Sequence, residues 1–281
     1  MKKILIILVL MGTVQIIKAQ TDSIIITKKN NGGIITRPID LRGYSTIWNF
    51  NKASQGWLRI TSTGWVSTIN YTVLNPCPGT PTVIYAGQIY TTVQIGNQCW
   101  LAENLNVGTM VDTLQDQTDN GVIEKYCYQD DPANCAIYGG SYQWGEALQY
   151  QNGASDSSSP NPAFSGHVQG ICPGGWHIPT RAEFDTLLHK ENLSGNALKA
   201  IGQGLANGKG TNTSGFSALM GGFRQWTGAW HGFGYDPQFW TISEVAPTQG
   251  YFLWLSYNTV DTFTLDGWHK SAGMSIRCVK D

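Results

Sequence analysis

The chain has little charge. Of its 281 residues, 13% are Asp, Glu, Lys or Arg, and 18 basic residues against 19 acidic ones leave a net charge of −1. Ordinary soluble domains carry about 25%. Nothing in this balance favours nucleic acid or an anionic bilayer as a partner. Long apolar runs are also scarce. Beyond the N-terminal segment, no stretch approaches the ~20 apolar residues that span a bilayer. Cysteine does not occur before Cys77. Signatures of catalysis are missing too: there is no G-x-S-x-G elbow, no H-E-x-x-H and no glycine-rich phosphate loop. The histidines, His167, His177, His189, His231 and His269, show no metal-ligand spacing. On this reading no catalytic residue, metal or cofactor is expected, and an enzyme is the less favoured class.

Polarity comes instead from Asn, Gln, Ser, Thr and 33 Gly, beside 11 Trp and 12 Tyr. Such a composition suits hydrogen-bonding ligands, and equally a loop-rich β fold whose turns need Gly and Asn. At the N-terminus, Lys2-Lys3 precede an apolar run, and Ala19 stands before Gln20. This is the pattern of a secretory signal peptide over 1–19. The protein is expected to be secreted or at the cell envelope, without a lipoprotein cysteine near the cut. An exported chain with an even number of cysteines reads as a disulfide framework. Sequence alone does not choose among the possible pairings. Proximity favours Cys77–Cys99, Cys127–Cys135 and Cys172–Cys278, the last closing the longest loop.

Residues 20–76 hold short β-branched and aromatic runs (23–27, 33–36, 57–60 and 65–70) and read as a small β module or arm. Pro76-Cys77-Pro78-Gly79 marks its end. The second domain is expected over 77–281. It opens with a hairpin, Gln88–Ile95 and Gln98–Leu101 around Gly96-Asn97, with Ile89, Thr91, Val93 and Ile95 alternating onto one face. Residues 106–135 read as loop. A short helix is expected over 141–150. Thr180 and Glu183 form a capping box for a helix over 181–190, whose apolar stripe is Phe184, Leu187 and Leu188. A shorter helix is expected over 197–205, then strands at 239–242, 251–257, 262–265 and 274–279. The class is α+β.

Several ordered motifs resemble the Fibrobacter succinogenes major paralogous domain family. They are Tyr90-Thr-Thr-Val-Gln-Ile-Gly-Asn-Gln-Cys-Trp-Leu-Ala-Glu-Asn-Leu105, Cys172-Pro-Gly-Gly-Trp-His-Ile-Pro-Thr180, Gly215-Phe-Ser-Ala-Leu-Met-Gly-Gly-Phe-Arg224 and Ser275-Ile-Arg-Cys-Val279. The resemblance implies an exported bacterial protein. A C-type lectin-like looped architecture is expected on separate grounds, since a last strand tied by a bridge to the Trp176 strand would produce it. One departure from the family is Trp240-Thr-Ile-Ser-Glu244, where Ile242 replaces a small residue. The same architecture hosts formylglycine-generating oxidases, which need reactive thiols; that alternative is the weakest.

Four groups of residues then invite a function. Asp116, Asp119, Asp130 and Asp131 could share calcium, yet the EF-hand position 12 is Cys127 rather than Glu. Neither motif of the calcium-dependent lectins is present. Glu103, Arg224, Glu244 and Arg277 read as internal ion pairs, because a buried Arg calls for a carboxylate. Trp100, Trp144, Trp176, Trp240 and Trp254 read as core. Trp226, Trp230, His231, Tyr235 and Trp268 lie among glycines and are the expected ligand-binding residues, since Tyr and Trp combine an apolar face with a polar tip. The expected partner is an extracellular glycan or glycoprotein bound without calcium. The alternative is a structural or adhesin subunit whose aromatic loops contact a surface protein.

Overall fold

The computed structural model describes residues 75–260 and 267–281 in full, and strand backbone alone before residue 75 and at 262–266. The chain divides into two compact units, Met1–Leu74 and Asn75–Asp281. By itself, the first unit contains a hairpin of Ser23–Asn30 with Gly33–Asp40. It also has a sheet in which Trp57–Ile60 lies between Thr46–Asn49 and Tyr71–Leu74. The expected strand at 65–70 and the expected cleavage point at 19–20 fall outside the described residues.

The second unit is an α+β domain with short helices and long loops. In chain order it runs β1 (Thr82–Tyr85), β2 (Gln88–Ile95), β3 (Gln98–Leu101), β4 (Thr109–Met110), β5 (Glu124–Lys125), α1 (Pro132–Tyr138) and α2 (Trp144–Ala147). It continues with β6 (Trp176–His177), α3 (Arg181–Lys190), α4 (Gly195–Leu198), β7 (Gly221–Arg224), β8 (Trp230–Phe233), β9 (Gln238–Ala246), β10 (Gln249–Leu255), β11 (Thr262–His269) and β12 (Val279–Lys280). One sheet has the order β6-β12-β3-β2-β1, a second β9-β10-β11, and β7 pairs with β8. The last strand thus lies between the hairpin that opens the unit and the Trp176 strand.

Two apolar groups hold these sheets together. Trp100 stacks on Phe184 at 5.2 Å between ring centroids and meets Phe216 edge-on at 5.7 Å. This group fastens α3 to the hairpin, because Phe184, Leu187 and Leu188 face inward as their spacing requires. The Thr180–Glu183 capping box is complete in both directions. The second group gathers Trp144, Trp176, Trp240, Tyr142, Met274 and the Cys172–Cys278 bridge. Two of its buried indoles are satisfied by carbonyls: Trp144 Nε1 donates to the Thr241 carbonyl at 2.9 Å and Trp240 Nε1 to the Tyr142 carbonyl at 3.0 Å.

The expected bridges Cys77–Cys99, Cys127–Cys135 and Cys172–Cys278 are all formed, and no cysteine remains free. Several local expectations change. Ile89 is exposed, while Tyr90 and Thr92 are as buried as Thr91 and Val93, so the middle of β2 is covered on both faces. The loop expected over 106–135 contains α1, which begins with Asp131 accepting from Ala133 N and Pro132 at the first position. The helix expected over 141–150 shrinks to Trp144–Ala147, and the one over 197–205 is replaced by Gly195–Leu198. Lys199, already extended and bridged to Ala218, ends the latter, and Gly202 and Gly204 at positive φ keep the following segment from turning helical. Trp254 is half-buried rather than core, its Nε1 bonded to Asp236 Oδ1 at 3.0 Å.

Candidate ligand-binding surface

The hairpin β7–β8 frames the site, and Arg224 anchors it. That side chain is 2% exposed. Its Nε donates to the Thr113 carbonyl at 2.6 Å, Nη1 to the Ser271 carbonyl at 3.1 Å and Nη2 to Asp116 Oδ1 at 3.4 Å. The guanidinium also lies 4.4 Å from the Tyr126 ring centroid. A buried guanidinium tolerates desolvation only when its donors are met in this way. The hairpin is therefore pinned to the loop 112–117.

Aromatic side chains flank the hairpin in two groups. In the first, Tyr128 stacks on Phe233 at 3.8 Å and meets Trp230 edge-on at 5.3 Å. Trp230 Nε1 donates to Thr113 Oγ1 at 3.2 Å, and that hydroxyl donates to Asp130 Oδ1 at 2.6 Å. Both the face and the polar tip of Trp230 are thus engaged internally. Its ring is half-buried.

The second group is open. The turn between the strands closes through Gln225 N to the Ala229 carbonyl at 2.8 Å and Gly228 N to the Gln225 carbonyl at 3.0 Å. Gly228 takes φ +86, where a side chain is strained. Trp226 projects from this turn and is 41% exposed. Its ring lies 5.6 Å from Trp268 and 4.3 Å from His269. Trp268 continues inward to Phe223 at 6.1 Å and Phe252 at 6.4 Å, so the outer ring rests on core aromatics. His231 is exposed and lies 6.1 Å from Phe223. Tyr235 is also exposed, edge-on to Tyr257 at 4.8 Å.

Charged residues singled out in the sequence are engaged internally. Glu103 accepts from Thr91 N at 2.7 Å and from Thr91 Oγ1 at 2.6 Å. Glu244 pairs with Lys270 at 2.7 Å. Burial lowers the Lys270 ammonium, opposed by the bond to Glu244. Arg277 donates to Asn104 Oδ1 at 3.1 and 2.6 Å and to the Leu101 carbonyl at 3.2 Å, with a further bond to the Phe216 carbonyl. An amide and main-chain carbonyls thus take part in holding this guanidinium.

The acidic residues of the loop are used locally. Asp130 accepts from Thr113, Asp131 caps α1, and Asp116 accepts from Gln143 Nε2 at 2.9 Å as well as from Arg224. Among the described residues they do not gather into a metal-binding group. His269, Tyr128 and Thr113 were not anticipated as parts of the surface. A signal for His269 was present: Trp-His occurs at 176–177, 230–231 and 268–269.

The folded unit is a three-bridge α+β domain of the kind suited to oxidising surroundings. The chain belongs to the Fibrobacter succinogenes major domain family, whose profile matches residues 93–280. No curated protein and no solved structure matches it. Among the described residues, no helix is long and apolar enough to cross a membrane.

Proposed function

We propose that this is an exported recognition domain that binds a neutral carbohydrate, free or on a glycoprotein, through Trp226, Trp268, His231 and His269. The observation that carries the reading is the exposed Trp226 ring, backed by Trp268 and His269 and held by an immobilised hairpin. A sugar ring offers an apolar C–H face for stacking and hydroxyls for hydrogen bonds, matching an aromatic ring beside imidazoles. A chain so poor in charge suits an uncharged ligand. Anchors mounted on rigid elements lose little entropy on binding. Trp230 and Tyr128 support the surface from below, and Tyr235 adds a further exposed ring.

The architecture is read as C-type lectin-like. Support comes from β12 pairing with β6 beside the Cys172–Cys278 bridge, with the long loop region between them. Binding on this surface needs no calcium, so it should survive chelation. The test is a glycan array probed with the wild-type protein, with and without EDTA. Array-wide absence of binding, with capture of a protein partner instead, would favour the adhesin alternative.

A further inference from the structure

We propose that His167, His177 and Asp281 form a binding site for a divalent transition-metal ion of the zinc class, opening onto a neighbouring cavity. The inference does not rest on the aromatic surface. His177 is 1% exposed and has a carboxylate at each ring nitrogen. Its Nε2 lies 2.8 Å from Glu183 Oε1, and its Nδ1 lies 2.7 Å from Asp281 Oδ1. His167 stacks on it at 3.8 Å and places Nδ1 3.4 Å from the same Asp281 oxygen. The three ligand atoms lie within 4.8 Å of one another.

The two contacts of His177 are not equivalent. Glu183 is fixed by the helix cap, where its Oε2 accepts from Thr180 N at 2.8 Å and Thr180 Oγ1 at 2.9 Å. An Nε2–H donated to this anchored carboxylate leaves Nδ1 with its lone pair directed at Asp281. Two acceptors do not rest that close unless a positive centre lies between them. A proton serves, and so does a metal ion. The second arrangement is the carboxylate–histidine–metal relay that orients ligands in many zinc sites.

The backbone holds the three segments together. Ile178 N donates to the Val168 carbonyl at 3.0 Å, and Asp281 N to the Gly175 carbonyl at 3.2 Å. Ligand bonds of about 2.0–2.2 Å in a tetrahedral site put donor atoms ~3.4 Å apart. The His167–Asp281 separation already matches, and the His177–Asp281 contact must open by about 0.7 Å. The stacked His167 ring must also turn out of parallel with His177 for both lone pairs to meet one ion. The side chains of His167 and Asp281 are 53% and 49% exposed, so both have room for these shifts. Two imidazoles and one carboxylate are a donor set favoured by zinc. Three protein ligands leave a fourth position for water or a small donor. Space for it lies in the adjoining cavity of about 580 Å³, lined by Phe164, His167, Thr180, Glu183, Ile242 and Glu244.

The test is titration of the metal-stripped full chain with zinc chloride, followed by calorimetry and melting temperature, with cobalt(II) as a visible-absorbance probe. Wild type should take up one ion per chain and melt higher with it. His167→Ala and Asp281→Asn should each weaken uptake at least tenfold, whereas His189→Ala, on the exposed side of α3, should not. His167→Ala decides the matter even if Asp281→Asn unfolds, because His167 is exposed and its loss leaves the core intact. Failure of wild type to bind zinc one-to-one, or uptake that His167→Ala leaves unchanged, overturns the proposal.

Discussion

Cys172 is bonded to Cys278 across 106 residues of sequence, beside the point where Trp176 pairs with Lys280. The bond and the strand pairing close the domain at one place. Replacing both cysteines by Ser should cost about 2–5 kcal/mol, the usual loss for a native bridge. Denaturant unfolding measures this, and nonreducing peptide mapping of exported protein should recover all three bridges. A free thiol at Cys278 would contradict the closure.

Lys270 lies fully buried with its ammonium 3.8 Å from the Trp144 ring centroid and 2.7 Å from Glu244. Removing only the carboxylate, by Glu244→Gln, strands a charge in the interior. The expected loss is about 3 kcal/mol. Adding Lys270→Met to that variant should recover much of it, since an apolar side chain of similar length needs no partner. Chemical denaturation of the single and double variants checks this, and equal stability of wild type and Glu244→Gln would refute it.

Burial pushes the Asp156 carboxyl from 3.8 up to about 7; the hydrogen bond from Gly145 N opposes this, and the charge of Asp116 adds to it. A folded-state pKa above the unfolded one means a contribution fully present below about 3.8 and lost as pH rises through about 7. Stability should therefore fall across that window, other groups apart. Asp156→Asn keeps the oxygen that accepts from Gly145 N at 2.9 Å. It should flatten this part of the profile and raise the melting temperature at pH above about 7 relative to wild type. A thermal scan of both proteins at a series of pH values checks the direction.

Much of the fold could be read from the sequence where local chemistry decides it. The Thr180–Glu183 capping box, the Gly96-Asn97 turn and the Cys77–Cys99 and Cys127–Cys135 bridges depend on residues close in the chain. Errors arose where tertiary contacts decide. Ile89 reads as a core position by alternation, yet at the start of β2 it is exposed, paired with the likewise exposed Ile84 of β1. The helix expected over 197–205 ends at Leu198 because Lys199 turns extended and pairs with Ala218, nineteen residues further along the chain. At the site, the exposed aromatics were legible as a cluster but not their sorting. Trp226 and Trp230 look alike in sequence; the bond from Trp230 to Thr113, 117 residues earlier, its contact with Tyr128 and the exposure of Trp226 are tertiary facts that tell them apart. The grouping of His167 and His177 with Asp281 spans 104 residues from the second histidine, beyond any local spacing rule.

The account's central claim is that the ring of Trp226, set on Trp268 and His269, makes the ligand contact while Trp230 supports it. The most direct measurement compares Trp226→Ala and Trp230→Ala with wild type, in melting temperature and in binding to glycans retained by the array. Trp226→Ala should stay within about 0.5 kcal/mol of wild-type stability, as an exposed substitution does, and lose at least tenfold in affinity. Trp230→Ala should instead lose about 3 kcal/mol of stability. Full binding by a folded Trp226→Ala variant would contradict the account.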